Sequence, residues 1–129
     1  MHDPFDLERF ATAQDPVYEQ VCAELRSGRK RSHWMSFIFP QIQGLGHSAM
    51  AEKYAIASRE EAAAYLDRPV LGARLRECTG LVNRIEGRSI GEIFGYPDDL
   101  KFRSSMTLFA SVASDDIFKR ALEKYFGKA

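Results

Sequence analysis

The chain has 129 residues, and its 18 lysine and arginine residues balance 18 aspartate and glutamate residues. With 45% hydrophobic and 28% charged residues, the composition is that of a globular domain and excludes a disordered tail protein. There is no run of about 18 apolar residues, so a membrane-spanning protein is excluded as well. The zero net charge argues against a non-specific nucleic-acid coat protein, which is normally strongly basic.

Cysteine and histidine residues give no sign of a disulfide framework or a metal site. Cys22 and Cys78 lie far apart and neither belongs to a Cys-x-x-Cys pair, so we expect both to pack as small apolar groups. The three histidines lack the spacing of metal-binding motifs, and no cofactor is expected. The segment 1–10 has no basic region followed by an apolar stretch, which predicts a cytoplasmic protein without a secretory signal.

The first helix signal is Asp15 followed by Pro16. A carboxylate can accept the free amide hydrogens of a helix start, and proline loses nothing at the first helical position. Apolar residues then recur at helical spacing until Gly28, and they are Val17, Val21 and Leu25. Farther on, the segment 35–39 is compatible with a short strand that Pro40 would end.

Gly44 and Gly46 begin a match to the dinucleotide-binding pattern G-x-G-x-x-G/A. That pattern needs a parallel strand on each side, but Pro40 interrupts the first and the segment 58–66 has the features of a capped helix. We therefore reject it. The two glycines instead predict a turn, with a helix over 48–56 capped by its first serine.

Signals for five further helices follow. Serine and glutamate three residues apart predict two capping boxes, which are Ser58 with Glu61 and Ser89 with Glu92. Pro69 opens a segment of clear 3.6-residue period that ends at Gly87, and Pro97 with two aspartates has the form of another first turn. A last helix ends at Gly127. The prediction is an all-α protein, a single compact domain over 1–129 with about six to eight short helices.

The segment 26–43 has the most unusual composition of the chain. Residues 1–25 contain one arginine against six acidic residues, whereas this segment adds four basic residues and several aromatic ones. Guanidinium groups bind phosphate bidentately and aromatic rings stack on bases, so the segment suits an anionic or nucleotide-like ligand. A structural interpretation stays open, because basic residues past a helix end also favour the helix dipole and aromatic residues also fill cores.

A second candidate segment lies on the helix after Pro97. Lys101 and Arg103 occur there among apolar residues that cover much of the helix circumference. Charges on a buried helix need partners or a lined pocket. The two basic residues therefore either form salt bridges, with acids such as Asp98, Asp99 or Glu92, or line an anion pocket.

The sequence resembles the bacterial domain-of-unknown-function family DUF1810, whose members are sometimes labelled calpastatin-like. The resemblance covers nearly the whole chain, and its main motifs are Asp3-Pro4-Phe5, residues 28–35 (GRKRSHWM), Phe39-Pro40-Gln41, Gly44-Leu45-Gly46, Tyr54-Ala55-Ile56, Tyr65-Leu66 and residues 103–109 (RSSMTLF). It implies an all-α single domain and no established activity. The calpastatin label has no support, because calpastatin's inhibitory regions are disordered repeats and this chain is compact. The family usually has a second tryptophan where this chain has Ser36, so any pocket wall built from that ring is altered.

The leading functional hypothesis is a pocket for a small anionic or nucleotide-like ligand, with no reaction specified. The predicted ligand-binding residues come from both segments and are Lys30, Arg31, Trp34, Gln41, Lys101, Arg103 and Ser105. His33 is the candidate acid or base, because imidazole changes protonation near neutral pH. We expect Trp34 to be partly buried with one accessible edge. The alternative is a non-catalytic interaction module that holds an acidic protein or nucleic-acid segment; a membrane partner is not expected, and the oligomeric state stays open.

Overall fold

The computed structural model describes residues 3–127, which form nine helices and no strand. In chain order the helices are α1 (Glu8–Gln14), α2 (Tyr18–Arg26), α3 (Met35–Ile38), α4 (Ala49–Lys53), α5 (Arg59–Asp67), α6 (Pro69–Arg84), α7 (Ile90–Phe94), α8 (Asp98–Ala110) and α9 (Ile117–Phe126). The all-α prediction is confirmed. No helix within the described residues is both long and apolar enough to cross a membrane.

The fold is organised around the two longest helices, α6 and α8. Helix α6 packs against α1, α2, α5 and α9, and helix α8 packs against α5, α7 and α9. The 3.6-residue period of α6 places one apolar face in the core, and its buried members include Leu71, Leu75, Cys78 and Val82. Gly72 lets α5 approach, since a Cβ atom there would lie 2.1 Å from the carbonyl oxygen of Leu66.

Two of the predicted helix starts are confirmed in full or in part by side-chain hydrogen bonds. Ser89 and Glu92 form a complete capping box at α7. The hydroxyl of Ser58 accepts the amide hydrogen of Glu61 at α5, but the Glu61 carboxylate accepts from the backbone of Ala57 instead of closing the box. That carboxylate lies 3.1 Å from a guanidinium nitrogen of Arg9, which competes for it.

Three local predictions differ from the structure. Helix α2 begins at Tyr18 without a side-chain cap, because the Asp15 carboxylate pairs with Arg74 at 2.8 Å. Ser48 caps α4 as predicted, but that helix ends at Lys53. The segment 35–39 contains helix α3 instead of a strand, because its adjacent apolar side chains are all buried and do not alternate between two faces.

An aromatic cluster joins the basic segment to α7 and α8. Phe39 and Phe94 each lie 5.0 Å from Phe102, measured between ring centroids, and Trp34 packs edge-on against Phe94 at 6.4 Å. Stacked and edge-to-face aromatic pairs such as these add about 0.5–1.5 kcal/mol beyond the burial of their area. The cluster therefore fixes the position of residues 30–36 relative to the start of α8.

Candidate functional site

A buried carboxylate organises the basic segment. Glu24 is 6% exposed, and its Oε1 accepts hydrogen bonds from the backbone amides of Arg31 and Ser32 and from the indole N–H of Trp34. Its Oε2 accepts from the hydroxyl of Ser32 at 2.6 Å and from the amide of Gln20 at 2.9 Å. Burial by itself would raise the pKa of Glu24, but the hydrogen bonds, led by Ser32 and Arg31, lower this pKa to about 2. The segment 31–34 is thus folded around the carboxylate of Glu24.

Sequence reasoning missed the role of Glu24, although a signal was present. Glu24 lies three residues after Val21 and next to Leu25, on the face of α2 that is otherwise apolar. An acid at such a position needs hydrogen-bond donors from elsewhere in the chain. The basic segment supplies them mainly through backbone amides and an indole, and not through its guanidinium groups.

Trp34 is buried more completely than predicted. Only 2% of its surface is exposed, so the expectation of one accessible edge is wrong. The physical reason is the Glu24 carboxylate, which gives the indole N–H a partner inside the core. The Nζ atom of Lys30 lies 5.2 Å from the ring centroid. In this structure Trp34 is therefore unavailable to stack on a base.

Lys30 links the basic segment to α7 and α8. Its backbone N–H donates to the carbonyl of Ile93 at 2.8 Å, and its Nζ lies 2.8 Å from Oδ2 of Asp98. The Nζ of Lys101 lies 3.7 Å from the other oxygen, Oδ1, of the same carboxylate. Two cations from distant parts of the chain therefore share one acid. The Lys30 side chain is 9% exposed, so its charge is held mainly by Asp98 and the ring of Trp34.

These two lysines line a small cavity of about 180 Å³, which we call the lysine cleft. Its lining residues are Lys30, His33, Met35, Ser36, Ser48, Met50, Asp98 and Lys101. The structure thus brings together three predicted site residues, Lys30, His33 and Lys101. Within residues 3–127, neither the imidazole of His33 nor the hydroxyl of Ser36 has a hydrogen-bond partner, so both are available to a ligand.

Three other predicted residues lie outside the lysine cleft. Gln41 lines a separate cavity of about 310 Å³ between the 41–47 loop and α4. Arg103 lines a groove beside Leu45, and its guanidinium carbon lies 5.4 Å above the ring of Phe126. Arg31 is exposed, and its backbone amide binds Glu24. The predicted set is therefore divided among several surfaces and does not form one pocket.

Ser105 is fully buried, which corrects its placement in a ligand site. It is 0% exposed, and its hydroxyl has no hydrogen-bond partner among the described residues. Its neighbours on α8 include Phe102, Met106 and Phe109, all of them in the core. Because α8 carries apolar residues on most of its circumference, the sequence does not show which side faces solvent. Within the same described part of the chain, no cluster of three His, Cys, Asp or Glu side chains could hold a metal ion.

Comparison with known proteins places the chain in a family. A crystal structure of the conserved hypothetical protein Rv1873 from Mycobacterium tuberculosis is similar to it, with 61% sequence identity and a TM-score of 0.96. That similarity covers 97% of this chain and 90% of the other. No curated protein is detectably similar. The family model described as a protein of unknown function, DUF1810, matches residues 4–129, and the chain therefore belongs to the DUF1810 family.

Proposed function

We propose that the protein binds a small anionic ligand in the lysine cleft. The observation that carries this proposal is the convergence of Lys30 and Lys101 on the single carboxylate of Asp98, which leaves an excess of positive charge. The cavity of about 180 Å³ is smaller than the roughly 300–1,000 Å³ of most small-molecule sites. It therefore suits a phosphoryl or carboxylate group and not a whole nucleotide.

Each polar residue of the cleft has a distinct task in this proposal. Lys30 and Lys101 donate hydrogen bonds to the anion, and Asp98 fixes the directions of both ammonium groups. Ser36 offers a hydroxyl, and His33 is the candidate acid or base for a reaction that stays unspecified. Trp34 acts only as a positioning residue, through its contact with Lys30.

The proposal is tested by NMR titration of the isotope-labelled protein with inorganic phosphate and with acetate. Binding should shift the backbone amides of residues 30–36 and 98–101, and Lys101→Met should weaken it about tenfold, the loss expected for one charge-assisted hydrogen bond. Ser36→Trp should block the cleft by filling it. Lys119→Met, which removes an exposed lysine of α9, is the matched control and should bind as the wild type does. Equal binding by the wild type and Lys101→Met would contradict the proposal.

A second candidate function is a non-catalytic interaction module that holds an acidic protein segment. It is favoured by exposed apolar side chains close to the basic residues, because Tyr96 is 82% exposed and Leu100 is 50% exposed at the start of α8. A labelled polyglutamate peptide should then bind, and the double variant Tyr96→Ser/Leu100→Ser should lose that binding. Binding of single anions without the peptide would favour the small-ligand site instead.

A further inference from the structure

A second basic cleft lies where α2 and α6 end, and it has no lining residue in common with the lysine cleft. It has a volume of about 440 Å³, within the usual range for small-molecule sites. Its lining residues are Leu25, Arg26, Ser27, Gly28, Leu81, Arg84, Ile85, Glu86 and Arg88. We call it the arginine cleft, because three arginine residues line it.

The three guanidinium groups have no directly paired carboxylate in the described part of the chain. Arg26, Arg84 and Arg88 form no ion pair and no hydrogen bond with any group in residues 3–127. Five other arginines each pair with a carboxylate, and these are Arg9, Arg68, Arg74, Arg76 and Arg120. The one acid of the cleft, Glu86, receives a hydrogen bond from Lys124 at 2.6 Å, which lowers the pKa of that carboxyl. Glu86 is therefore already neutralised by another residue.

The hydrogen-bonding needs of the helix ends do not explain these arginines, although Arg26 and Arg84 occupy last turns. The final carbonyl oxygens of α6 already accept hydrogen bonds from the ammonium group of Lys124 and the hydroxyl of Tyr125. At the end of α2, the hydroxyl of Ser27 donates to a carbonyl of the last turn. Both helix ends are thus satisfied by other groups, and Arg88 belongs to no helix.

Gly28 holds one of the arginines against the cleft. Its φ angle is +84°, in the left-handed region that favours glycine. A Cβ atom at this position would lie 3.0 Å from Nε and 3.3 Å from Cδ of Arg88. The absence of a side chain at Gly28 therefore lets Arg88 pass directly over the backbone at the end of α2.

We propose that the arginine cleft binds a small organic phosphate. Guanidinium groups match the geometry of phosphate oxygens, and three of them suit a phosphoryl group that carries two negative charges. The floor of the cleft carries apolar surface, since Leu81 is 9% exposed and Ile85 is half-buried. The phosphoryl group contacts the arginines, and the carbon part of the ligand lies on this floor.

Phenyl phosphate tests the arginines and the apolar floor together, because it carries a phosphoryl group and an apolar ring. Calorimetry or NMR titration measures its binding. It should bind about fivefold or more tightly than inorganic phosphate, because the ring removes apolar surface from water, while phenol should not bind. Arg84→Gln and Arg88→Gln should each weaken phenyl phosphate binding about tenfold. Both side chains are exposed, so the variants should fold, and thermal unfolding checks this.

Two control variants show whether phenyl phosphate binds at the arginine cleft itself. Arg120→Gln removes an exposed arginine on α9 and should leave phenyl phosphate binding unchanged. Lys119→Met, which removes an exposed lysine of the same helix, should also leave it unchanged. Amide shifts of residues 84–88 during the NMR titration distinguish this cleft from the lysine cleft, where residues 30–36 and 98–101 should shift. Absence of phenyl phosphate binding, or equal binding by the Arg84→Gln/Arg88→Gln variant, would overturn the proposal. Tight binding of a single-stranded oligonucleotide without phenyl phosphate binding would overturn it too, and would assign the arginines to a nucleic-acid surface.

Discussion

The lysine cleft and the arginine cleft hold their positive charges in opposite ways. Lys30 is nearly buried between the carboxylate of Asp98 and the ring of Trp34, whereas Arg84 and Arg88 are exposed and pair with no acid among the described residues. Paired and buried cations contribute to the fold, and their removal leaves an unmatched acid. Hydrated cations contribute little to the fold and stay available to a ligand. Lys30 therefore stabilises the fold in addition to its proposed contact with an anion, whereas Arg84 and Arg88 are free of any structural role.

The largest expected effect comes from the carboxylate that supports the lysine cleft. Glu24→Gln should lower the free energy of unfolding by about 3–5 kcal/mol, because five hydrogen bonds converge on this buried group. Chemical denaturation measures the change. Glu19→Gln alters an exposed acid of the same helix and should change stability by less than about 0.5 kcal/mol. A loss as small as that of Glu19→Gln would show that the hydrogen bonds to Glu24 do not stabilise the segment 31–34.

The same carboxylate should make stability depend on pH. In the folded protein the pKa of Glu24 is lowered from its ordinary value of 4.5 to about 2. A lowered pKa gives stability that is fully present above pH 4.5 and is lost as the pH falls from 4.5 towards 2. Denaturation curves across this window should therefore show a smaller decrease for Glu24→Gln than for the wild type. An equal decrease in both proteins would assign the acid sensitivity to other carboxylates.

A pair of lysine and arginine variants tests the contrast between the clefts directly. Lys30→Met should destabilise the fold by about 1–3 kcal/mol, because it leaves the mostly buried Asp98 with only the weaker contact to Lys101. Arg84→Met should change stability by less than about 0.5 kcal/mol, since it breaks no ion pair. Chemical denaturation of both variants measures this difference. Similar losses in the two variants would remove the distinction between structural and free cations.

The smallest expected effect concerns a buried hydroxyl, which differs from both kinds of cation because it has neither a protein partner in the described part of the chain nor contact with water. The hydroxyl of Ser105 is fully buried and has no partner among the described residues, unlike the arginines, which water can reach. Ser105→Ala should therefore leave stability unchanged or raise it by up to about 1 kcal/mol. Thermal or chemical unfolding measures the change, with Ser104→Ala as the half-buried neighbour. A clear loss of stability in Ser105→Ala would reveal an interaction of this hydroxyl.

Local features of this fold follow from the sequence because their signals are local. The capping box at Ser89 requires only residues three positions apart, and α6 is marked by Pro69 at its start and by a regular apolar period. Helix α3 has no such signal. Its apolar residues are adjacent because the aromatic cluster surrounds them, and that cluster forms only when distant segments pack.

The sites depend on contacts between distant segments, so the sequence predicts them only in part. Lys30, His33 and Lys101 meet because Trp34 and Phe102 belong to one aromatic cluster, which composition does not reveal. The arginine cleft was missed for a similar reason. Arg84 is the last residue of an ordinary helix and Arg88 follows it in the sequence. Only the packing of α6 against α2 brings them to the same cavity as Arg26.

The burial of Trp34 also gives the protein a single, well-defined source of tryptophan fluorescence. The chain has one tryptophan, so all of its indole fluorescence comes from a single dry environment under the ammonium group of Lys30. An anion that draws Lys30 away from the ring changes the electric field at this chromophore. The lining of the arginine cleft, by contrast, includes neither Lys30 nor Glu24, the two charged residues that contact the indole. The emission of Trp34 therefore reports which of the two clefts is occupied, without any added label.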